Sequence, residues 1–209
     1  MSKIILASHV ITLCLFILSG CYAQTKDEQT NKETEPNKYP VIERKVVVVD
    51  NCWEEFKDLT ANISVNFCCS PQKDVLDVTF KDTSIKRNSY LVLDSDANGN
   101  ARYFLGWFDW KLKNEDENSV QKLYDEYTED ILKEDPRGSI KETREITLNG
   151  KIGRETTFAA DNSNSLTIQI FYVKGKIVYA AFLPDELTKN KPLQDKSRNI
   201  FFGSFKILN

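Results

Sequence analysis

Histidine is nearly absent from this chain of 209 residues, and the only one is His9. His9 lies in an apolar N-terminal segment that reads as a cleaved signal, so the mature chain has none. This excludes histidine-dependent triads, histidine-ligated zinc and histidine proton shuttles. The sequence also lacks a P-loop and the GxGxxG, GxSxG, HExxH and paired CxxC motifs. No motif therefore indicates a reaction.

An excess of positive charge is lacking as well. The full chain has 28 basic and 31 acidic residues, and loss of residues 1–20 removes Lys3 and no acid. The remaining 27 basic against 31 acidic residues give a formal net charge of −4, so a nucleic-acid partner has no electrostatic support. Hydrophobic residues make up 41% and aromatic residues 11%, which is enough for the core of one domain with extra segments.

The N-terminus reads as a secretory signal over residues 1–20. Lys3 precedes the apolar run Ile4–Leu18, which is shorter than the ~20 residues that a membrane-spanning helix needs. The run ends in Leu18–Cys21 (LSGC), which resembles the lipobox of bacterial lipoproteins. We therefore predict that Cys21 is the lipidated first residue, with palmitate among its acyl chains, since thioether formation needs a sulfur nucleophile.

Two alternatives to the lipid anchor stay open. Cleavage after Ala23 would leave a soluble secreted protein, and retention of the segment would leave an uncleaved membrane anchor. Tyr22 follows the cysteine in place of the aspartate that retains many lipoproteins in the inner membrane, which favours the outer membrane of the cell envelope.

A polar tether follows the anchor over residues 21–40. It has few apolar residues and is closed by Pro36 and Pro40, so it cannot bury enough surface to order itself. The folded domain is predicted over residues 41–209. Its Lys45–Val49 (KVVVV) is either an edge strand or a lead-in.

The centre of the predicted fold runs from Arg144 to Pro184. Asn149-Gly150 is a strong hairpin signal because both central residues of that turn need positive φ. The strand Ile177–Leu183 is apolar on both faces, so a layer must cover each face. Further strands in this region are expected at Ile146–Leu148, Thr156–Phe158 and Leu166–Val173, with a second turn at Lys174–Lys176.

Outside this centre the pattern predicts more strands and two helices. Ile63–Phe67 alternates as a half-buried strand. Apolar residues at spacings of three and four predict a helix over Glu117–Lys133, and Pro192 opens a second helix over Leu193–Phe202. The remaining strands are predicted at Val75–Phe80, Tyr90–Leu93, Tyr103–Phe108 and Ser204–Leu208.

Four fragments, in order, resemble one family pattern. Trp53–Pro71 is similar to the "W..F....FSV.FP..P" opening of PsbP-like domains, and Ile146–Glu155 is similar to their "I.LNG..GRE" hairpin. Ile168–Tyr179 resembles their paired strands ending in "LY", and Phe201–Leu208 resembles their terminal "FF.SFK.L". The resemblance departs from the pattern at Cys68-Cys69, which replaces the FP element.

The resemblance implies an α-β-α sandwich of the α+β type, with a mostly antiparallel central sheet and helices on both sides. The family includes an extrinsic subunit of photosystem II, a nuclear import factor that binds the small GTPase Ran, and many bacterial envelope proteins. Its known members bind and stabilise other proteins and share no catalytic motif. It thus implies a non-catalytic protein-binding domain, with no cofactor.

Asp94-x-Asp96-x-Asn98-Gly99 matches the first half of a calcium loop, in which oxygen ligands alternate and glycine makes the sharp turn. The twelfth position should be a bidentate glutamate, but it is Leu105, and strands flank the loop instead of helices. The alternative interpretation is a hairpin turn with Asx and Asn-Gly chemistry.

Four cysteines remain in the mature chain: Cys21, Cys52, Cys68 and Cys69. With Cys21 lipidated, an oxidising compartment favours one disulfide from Cys52 to Cys68 or Cys69. The two neighbours point to opposite faces of an extended strand, so only one of them is expected to reach Cys52. Buried thiols are the alternative.

Aromatic and acidic side chains offer weaker site candidates. Trp53, Trp107 and Trp110 could line a ligand pocket, but such residues more often belong to a core or its edge. Glu54-Glu55 is expected to be a solvated pair, and Glu115–Glu117 is expected to serve the start of the first helix. The leading interpretation is an envelope lipoprotein that binds or supports another protein; a small-ligand or calcium-binding module and a carboxylate-based enzyme are the alternatives.

Overall fold

The structure is a computed structural model that describes residues 53–94, 101–134, 138–159, 165–184 and 191–208. Lys45–Val49 lies outside these ranges. The described strands of the first half are β1 (Glu54–Asp58), β2 (Ile63–Phe67), β3 (Gln72–Phe80), β4 (Thr83–Leu93) and β5 (Ala101–Asp109). They are followed by α1 (Glu117–Glu134), β6 (Ser139–Leu148), β7 (Lys151–Ala159), β8 (Ser165–Val173), β9 (Lys176–Pro184), α2 (Lys191–Ser204) and β10 (Lys206–Ile207).

Seven strands form one sheet in the order β3-β4-β5-β9-β8-β7-β6. Every neighbouring pair in this sheet is antiparallel. Strand β9 takes the central position, and its residues from Ile177 to Phe182 are all buried. The prediction that this strand is covered on both faces is confirmed.

A helix packs on each side of the large sheet. On one face Ile177 of β9 shares a core with Leu123 and Tyr124 of α1. On the other face Val178 shares a core with Phe201 of α2. Successive residues of a strand point to opposite faces, so β9 contributes to both cores. The architecture is the predicted α-β-α sandwich of the α+β class.

Helix α1 matches its prediction to within one residue at its end. The carboxylate of Asp116 caps it by accepting a hydrogen bond from the Ser119 backbone N–H at 2.8 Å. This bond holds the pKa of Asp116 below its usual value. Among the described residues, neither helix is long and apolar enough to cross a membrane.

A second, three-stranded sheet β1-β2-β10 lies on the α2 side of the molecule. The sequence pattern did not predict β1. The closing strand was predicted over Ser204–Leu208 but is shorter, because α2 continues to Ser204. β2 was expected to be half-buried, but Ser64 is only 1% exposed. The Ser204 hydroxyl accepts a hydrogen bond from the Asn66 backbone N–H at 2.8 Å, so the end of α2 is bound to the edge of β2, and Phe201 of α2 packs against Phe67 on the apolar face of the strand.

In the part of the chain that the structure describes, three two-residue turns join neighbouring strands with positive φ at both positions. The φ angles are 51° and 74° at Asn149-Gly150, and 49° and 78° at Lys174-Gly175. Both turns were predicted. The third turn is Lys81-Asp82, with φ angles of 49° and 58°, and its residues give little sequence signal for this conformation.

The four fragments that resemble the family pattern meet in space. β10, in the last fragment, pairs with β2 in the first. The Asn149 side-chain amide donates to the Ile207 carbonyl oxygen at 2.7 Å. The rings of Phe171 and Phe205 lie 5.7 Å apart, centroid to centroid. Residues from all four fragments therefore help to hold the two sheets together.

Candidate functional site

Asp58, the last residue of β1, is a buried carboxylate with four hydrogen-bond donors around it. Its Oδ1 accepts the backbone N–H groups of Thr60 at 2.8 Å and Ala61 at 3.2 Å. Its Oδ2 accepts the Tyr90 hydroxyl and the Trp107 indole N–H, each at 2.7 Å. A carboxylate has about four lone-pair sites, so this one is saturated and connects the small sheet to β4 and β5.

The electrostatics of Asp58 fit a structural role. Burial by itself raises its pKa, but the hydrogen bonds from Tyr90, Trp107 and the two backbone amides outweigh burial and lower it below the usual value. Burial, together with the Asp58 carboxylate, raises the pKa of Tyr90 far above its usual value. Neither group can exchange a proton near neutral pH, as a general acid or base would.

The three tryptophans do not share a pocket. Trp107 is buried in the core on the α2 side, and Trp53 packs against that core, with its ring edge-on to Tyr103 at 5.5 Å. Trp110 packs against the opposite core, with its ring 4.7 Å from that of Phe80. The interpretation of these residues as core and core-edge side chains is confirmed.

The hairpin β6–β7 connects the large sheet to both helices through consecutive residues. A Cβ atom on Gly153 would lie 2.3 Å from the ring of Phe171, so only glycine fits there without movement of the ring. The Arg154 guanidinium forms an ion pair with Asp125 of α1 and donates to the Gln121 side-chain oxygen at 2.9 Å. Gly153-Arg154 therefore serves the packing of α1 and β8.

Glu155, the next residue, faces the other helix and is 6% exposed. Its Oε1 lies 2.6 Å from Nη2 of Arg144 on β6 and 3.6 Å from Nη2 of Arg198 on α2. Its Oε2 accepts the side-chain N–H of Gln169 on β8 at 2.7 Å. This buried anion is therefore held by two cations and one amide.

Strand register explains why these groups meet. Arg144 is the direct cross-strand partner of Glu155, Glu155 of Gln169, and Gln169 of Ala180 in the central strand. Side chains of directly paired residues stand on the same face of a sheet. The row therefore lies on the α2 side, where Arg198 completes the cluster from above.

The Glu155 cluster forms the floor of a surface cleft of about 310 Å³. The cleft opens between the outer strands of the large sheet and the C-terminal half of α2. The guanidinium of Arg198 lies 5.7 Å from the ring centroid of Phe202. The residues that line the cleft are Arg144, Glu155, Gln169, Arg198, Asn199, Phe202 and Gly203.

A smaller cleft of about 210 Å³ lies beside α1. It holds Lys81, Lys113 and Lys122 with Glu126, and the Nζ of Lys81 lies 2.6 Å from the Glu126 carboxylate. These lysines are exposed. Solvated lysines keep their mobility and their water shells, so they do not orient a ligand. None of the described residues that line this cleft is a buried polar group.

Of the three predicted calcium ligands, the structure describes Asp94, at the start of the loop. The Asp94 backbone N–H donates to the Ala101 carbonyl at 2.9 Å, and the Asp94 carboxylate accepts the Tyr103 hydroxyl at 3.3 Å. Asp96 and Asn98 lie outside the described residues, so the calcium loop and the hairpin turn both stay predictions. Within the described ranges, no group of three or more His, Cys, Asp or Glu side chains could hold a metal ion.

Of the four cysteines in the predicted mature chain, the structure describes Cys68 and Cys69. Cys21 and Cys52 lie outside the described residues, so lipidation and the disulfide stay predictions. Cys68 is buried and Cys69 is exposed. β2 ends at Phe67, so both cysteines lie beyond the strand in which they were expected to point to opposite faces.

The acidic pairs behave as expected from sequence. Glu54 and Glu55 are both exposed, and Glu55 forms an ion pair with Lys57 at 2.9 Å. Asp116 caps α1, and Glu115 accepts the Tyr172 hydroxyl at 2.7 Å. Asp116 therefore serves the helix start, as predicted, whereas Glu115 is bound to β8 through Tyr172.

Sequence reasoning missed the Glu155 cluster, although Glu155 was part of the quoted hairpin pattern. Gln169 and Arg198 lie on other elements and carry no spacing signal that links them to it. One signal was available: Glu155 falls on the face of β7 that also holds Gly153, and β7 is followed by strands that are buried on both sides. A charged residue on an inward face of a strand usually has a partner.

The fold class is an α+β sandwich in which one antiparallel seven-stranded sheet separates two helical layers. No protein-family model matches the sequence, and no curated protein sequence matches it. The structural comparison is more informative. The chain has the PsbP-like fold: it is similar to cyanobacterial PsbP (CyanoP) from Synechocystis sp. PCC 6803, with a TM-score of 0.51 and 6% identity over 75% of this chain and 92% of that chain.

Two further solved structures share this likeness at a lower score. The Ran-binding protein Mog1p of Saccharomyces cerevisiae gives a TM-score of 0.39 at 12% identity, over 75% of this chain and 96% of that chain. A point mutant of Mog1 gives a TM-score of 0.39 at 11% identity, with the same coverage.

Proposed function

We propose that this chain is a non-catalytic lipoprotein of a bacterial cell envelope, and that its PsbP-like domain binds or supports another envelope protein. The observation that carries the proposal is the fold, found where four sequence fragments already resembled PsbP-like domains in the same order. The family's known members bind and stabilise other proteins, and the extension to this chain is an analogy of fold.

The buried carboxylates support a non-catalytic role. Asp58 and Glu155 are the buried acids of the described residues. They do not face each other. Asp58 binds Tyr90, and Tyr90 and Glu155 lie in the same row of paired residues across the large sheet. Three residues separate them in that row: Leu105, Ala180 and Gln169. A carboxylate-based enzyme would bring two such groups to one cleft and raise the pKa of one of them. Here each acid is enclosed by donors or cations.

The membrane part of the proposal depends on the lipobox at Leu18–Cys21 and the polar tether that follows it. A tether after a lipid anchor would let the domain stand away from the membrane and meet a partner. The N-terminal peptide of the mature protein tests this by mass spectrometry. We expect it to begin at Cys21 and to carry acyl chains; a peptide that begins unmodified at Gln24 would instead support the secreted form.

Protein binding is tested by cross-linking and affinity capture of the full lipidated protein from its native membrane. We expect one or a few envelope proteins to be recovered repeatedly. Their recovery should fall when Cys21→Ser removes the site of lipidation, since the anchor places the domain beside them. Recovery of no specific partner in repeated captures would contradict the proposal.

A further inference from the structure

We propose that the cleft between Arg144 and Arg198 is the docking site for a carboxylate on an acidic segment of the partner protein. This inference rests on the proposed protein-binding function and names the chemistry of its partner. It begins from the arrangement in the cleft, where one buried anion, Glu155, lies between two guanidinium groups from different elements.

The charges in the cleft do not balance. Arg144 and Arg198 each carry one positive charge, and Glu155 carries one negative charge, so the cluster has a net charge of +1. Gln169 is neutral and already donates to Glu155. A second anion that enters the cleft would therefore neutralise the cluster, whereas a cation would be repelled.

The hydrogen-bond donors of the cleft are also in surplus. Glu155 Oε1 is 2.6 Å from Arg144 but 3.6 Å from Arg198, which is too long for a hydrogen bond. Among the residues that the structure describes, Nε of Arg198 is buried and has no hydrogen-bond partner. Each guanidinium presents five N–H donors in a planar fork. The buried Nε shows that the donors of Arg198 are not used up, and its Nη groups, which line the cleft, are the ones that a ligand can reach.

Arg198 is held in place even though its donors are not used up. Its guanidinium packs on the ring of Phe202, one helical turn further along α2, at 5.7 Å. Stacking on an aromatic ring orients the plane of an arginine. Arg144 comes from β6 and has 58% of its side chain exposed, so its donors that do not face Glu155 are open to an incoming group. Two guanidinium forks from different elements suit the two oxygens of a carboxylate.

The size and shape of the cleft favour a protein side chain over a large ligand. Its volume of about 310 Å³ is at the lower limit of the range of about 300–1,000 Å³ for small-molecule pockets. It is open on the surface and has Phe202 at its wall, which can contact the methylene groups of a glutamate. An aspartate or glutamate of a partner segment fits these features.

The test is a binding titration of the full-length protein with a hexaglutamate peptide at low and at moderate salt. We expect saturable binding that weakens as salt rises. Arg198→Gln and Arg144→Gln should each weaken it about 10-fold, because a charge-assisted hydrogen bond is lost. Arg198→Lys should recover only part of the loss, since a lysine has no planar fork. Lys174→Gln, at an exposed turn position, removes the same charge elsewhere and should change the affinity less than about twofold.

Glu155→Gln provides a test in the opposite direction. The amide has nearly the same shape but leaves the two arginines without their anion, so hexaglutamate should bind several-fold more tightly. If the cluster served only stability, this variant would bind no better than the unmodified protein. Circular dichroism and thermal unfolding establish that each variant is folded.

Three outcomes would overturn the inference. They are the absence of saturable binding to hexaglutamate, equal binding by the Arg198→Gln and Arg144→Gln variants and the unmodified protein, and binding of inorganic phosphate as tight as that of the peptide. Affinity capture separates this failure from failure of the proposed function. If Arg198→Gln still recovers the same partner, the cleft is not the docking site but protein binding stands; if the unmodified protein recovers none, the proposed function itself fails.

Discussion

Replacement of Asp58 by asparagine should destabilise the domain by about 2–4 kcal/mol at neutral pH. Asp58 is 6% exposed, and its carboxylate is the acceptor in all four of its hydrogen bonds. The asparagine side chain keeps one acceptor oxygen but brings an N–H₂ group to the other pair of donors. If its oxygen stays on the turn amides of Thr60 and Ala61, the Tyr90 hydroxyl can rotate to accept. The Trp107 N–H cannot, and it is left buried without an acceptor.

The magnitude follows from these changes. A buried donor without a partner costs about 1–3 kcal/mol, and the loss of charge from the remaining bonds adds roughly 1 kcal/mol. Urea unfolding measures the difference, since a domain of this size has about 5–15 kcal/mol to lose. Asp77→Asn, an exposed position on β3, is the matched control and should change stability by less than about 0.5 kcal/mol.

A double-mutant cycle and a pH series sharpen this prediction. Tyr90→Phe should destabilise the unmodified protein by about 1.5–3 kcal/mol, but much less when Asp58→Asn is present, because the two groups interact directly. The folded-state pKa of Asp58 is lowered. Its stabilisation is therefore complete above the unfolded pKa of about 4 and is lost as pH falls through the folded value. An Asp58→Asn variant as stable as the Asp77→Asn control at pH 7 would refute the reasoning.

Three further predictions concern the hairpin, the loop and the cysteines. Gly153→Ala should destabilise the domain by about 1–3 kcal/mol in urea unfolding, because the added methyl group meets the Phe171 ring. Calorimetric titration with millimolar calcium should give no saturable heat, since the loop that begins at Asp94 lacks the twelfth-position glutamate. Mass spectrometry of the unreduced protein should show a mass lower by two hydrogen atoms, and Cys52→Ser should abolish that difference.

Each of these has its own control or contrary result. Gly203→Ala is the control for the hairpin, since nothing lies within 4 Å of a Cβ at Gly203 and alanine favours a helix; it should leave stability unchanged or increase it. Saturable calcium heat that Asp94→Asn removes would instead establish the calcium loop. Full alkylation of Cys52 in the unreduced, denatured protein would rule out the disulfide.

The sequence predicted the elements whose signals are local. α1 has regular apolar spacing and an acidic start, and Asn149-Gly150 needs only its own two residues to set a turn. The strand Ile177–Leu183 was identified as central because both its faces are apolar. In each case neighbouring residues determine the conformation.

Features that depend on distant residues were not predicted. The turn at Lys81-Asp82 has positive φ without glycine, so the pairing of β3 with β4 imposes it. β10 joins β2 instead of the large sheet, a pairing between the two ends of the domain. The Glu155 cluster needs Arg198 from α2, and no periodicity in either segment links them. Calcium binding and lipidation concern residues outside the described ranges.

The position of β9 has a consequence for how the domain folds. β3, β4 and β5 pair with their neighbours in the chain, and so do β6, β7, β8 and β9, so each group can form locally. Among the described strands, the pairing that joins the two meanders is β5–β9, and it must close a long loop before it gains any burial. We expect this junction to form late and to limit the folding rate. A chain that emerges from its N-terminus, whether from a ribosome or through a membrane, would complete its interior only when the last quarter has arrived.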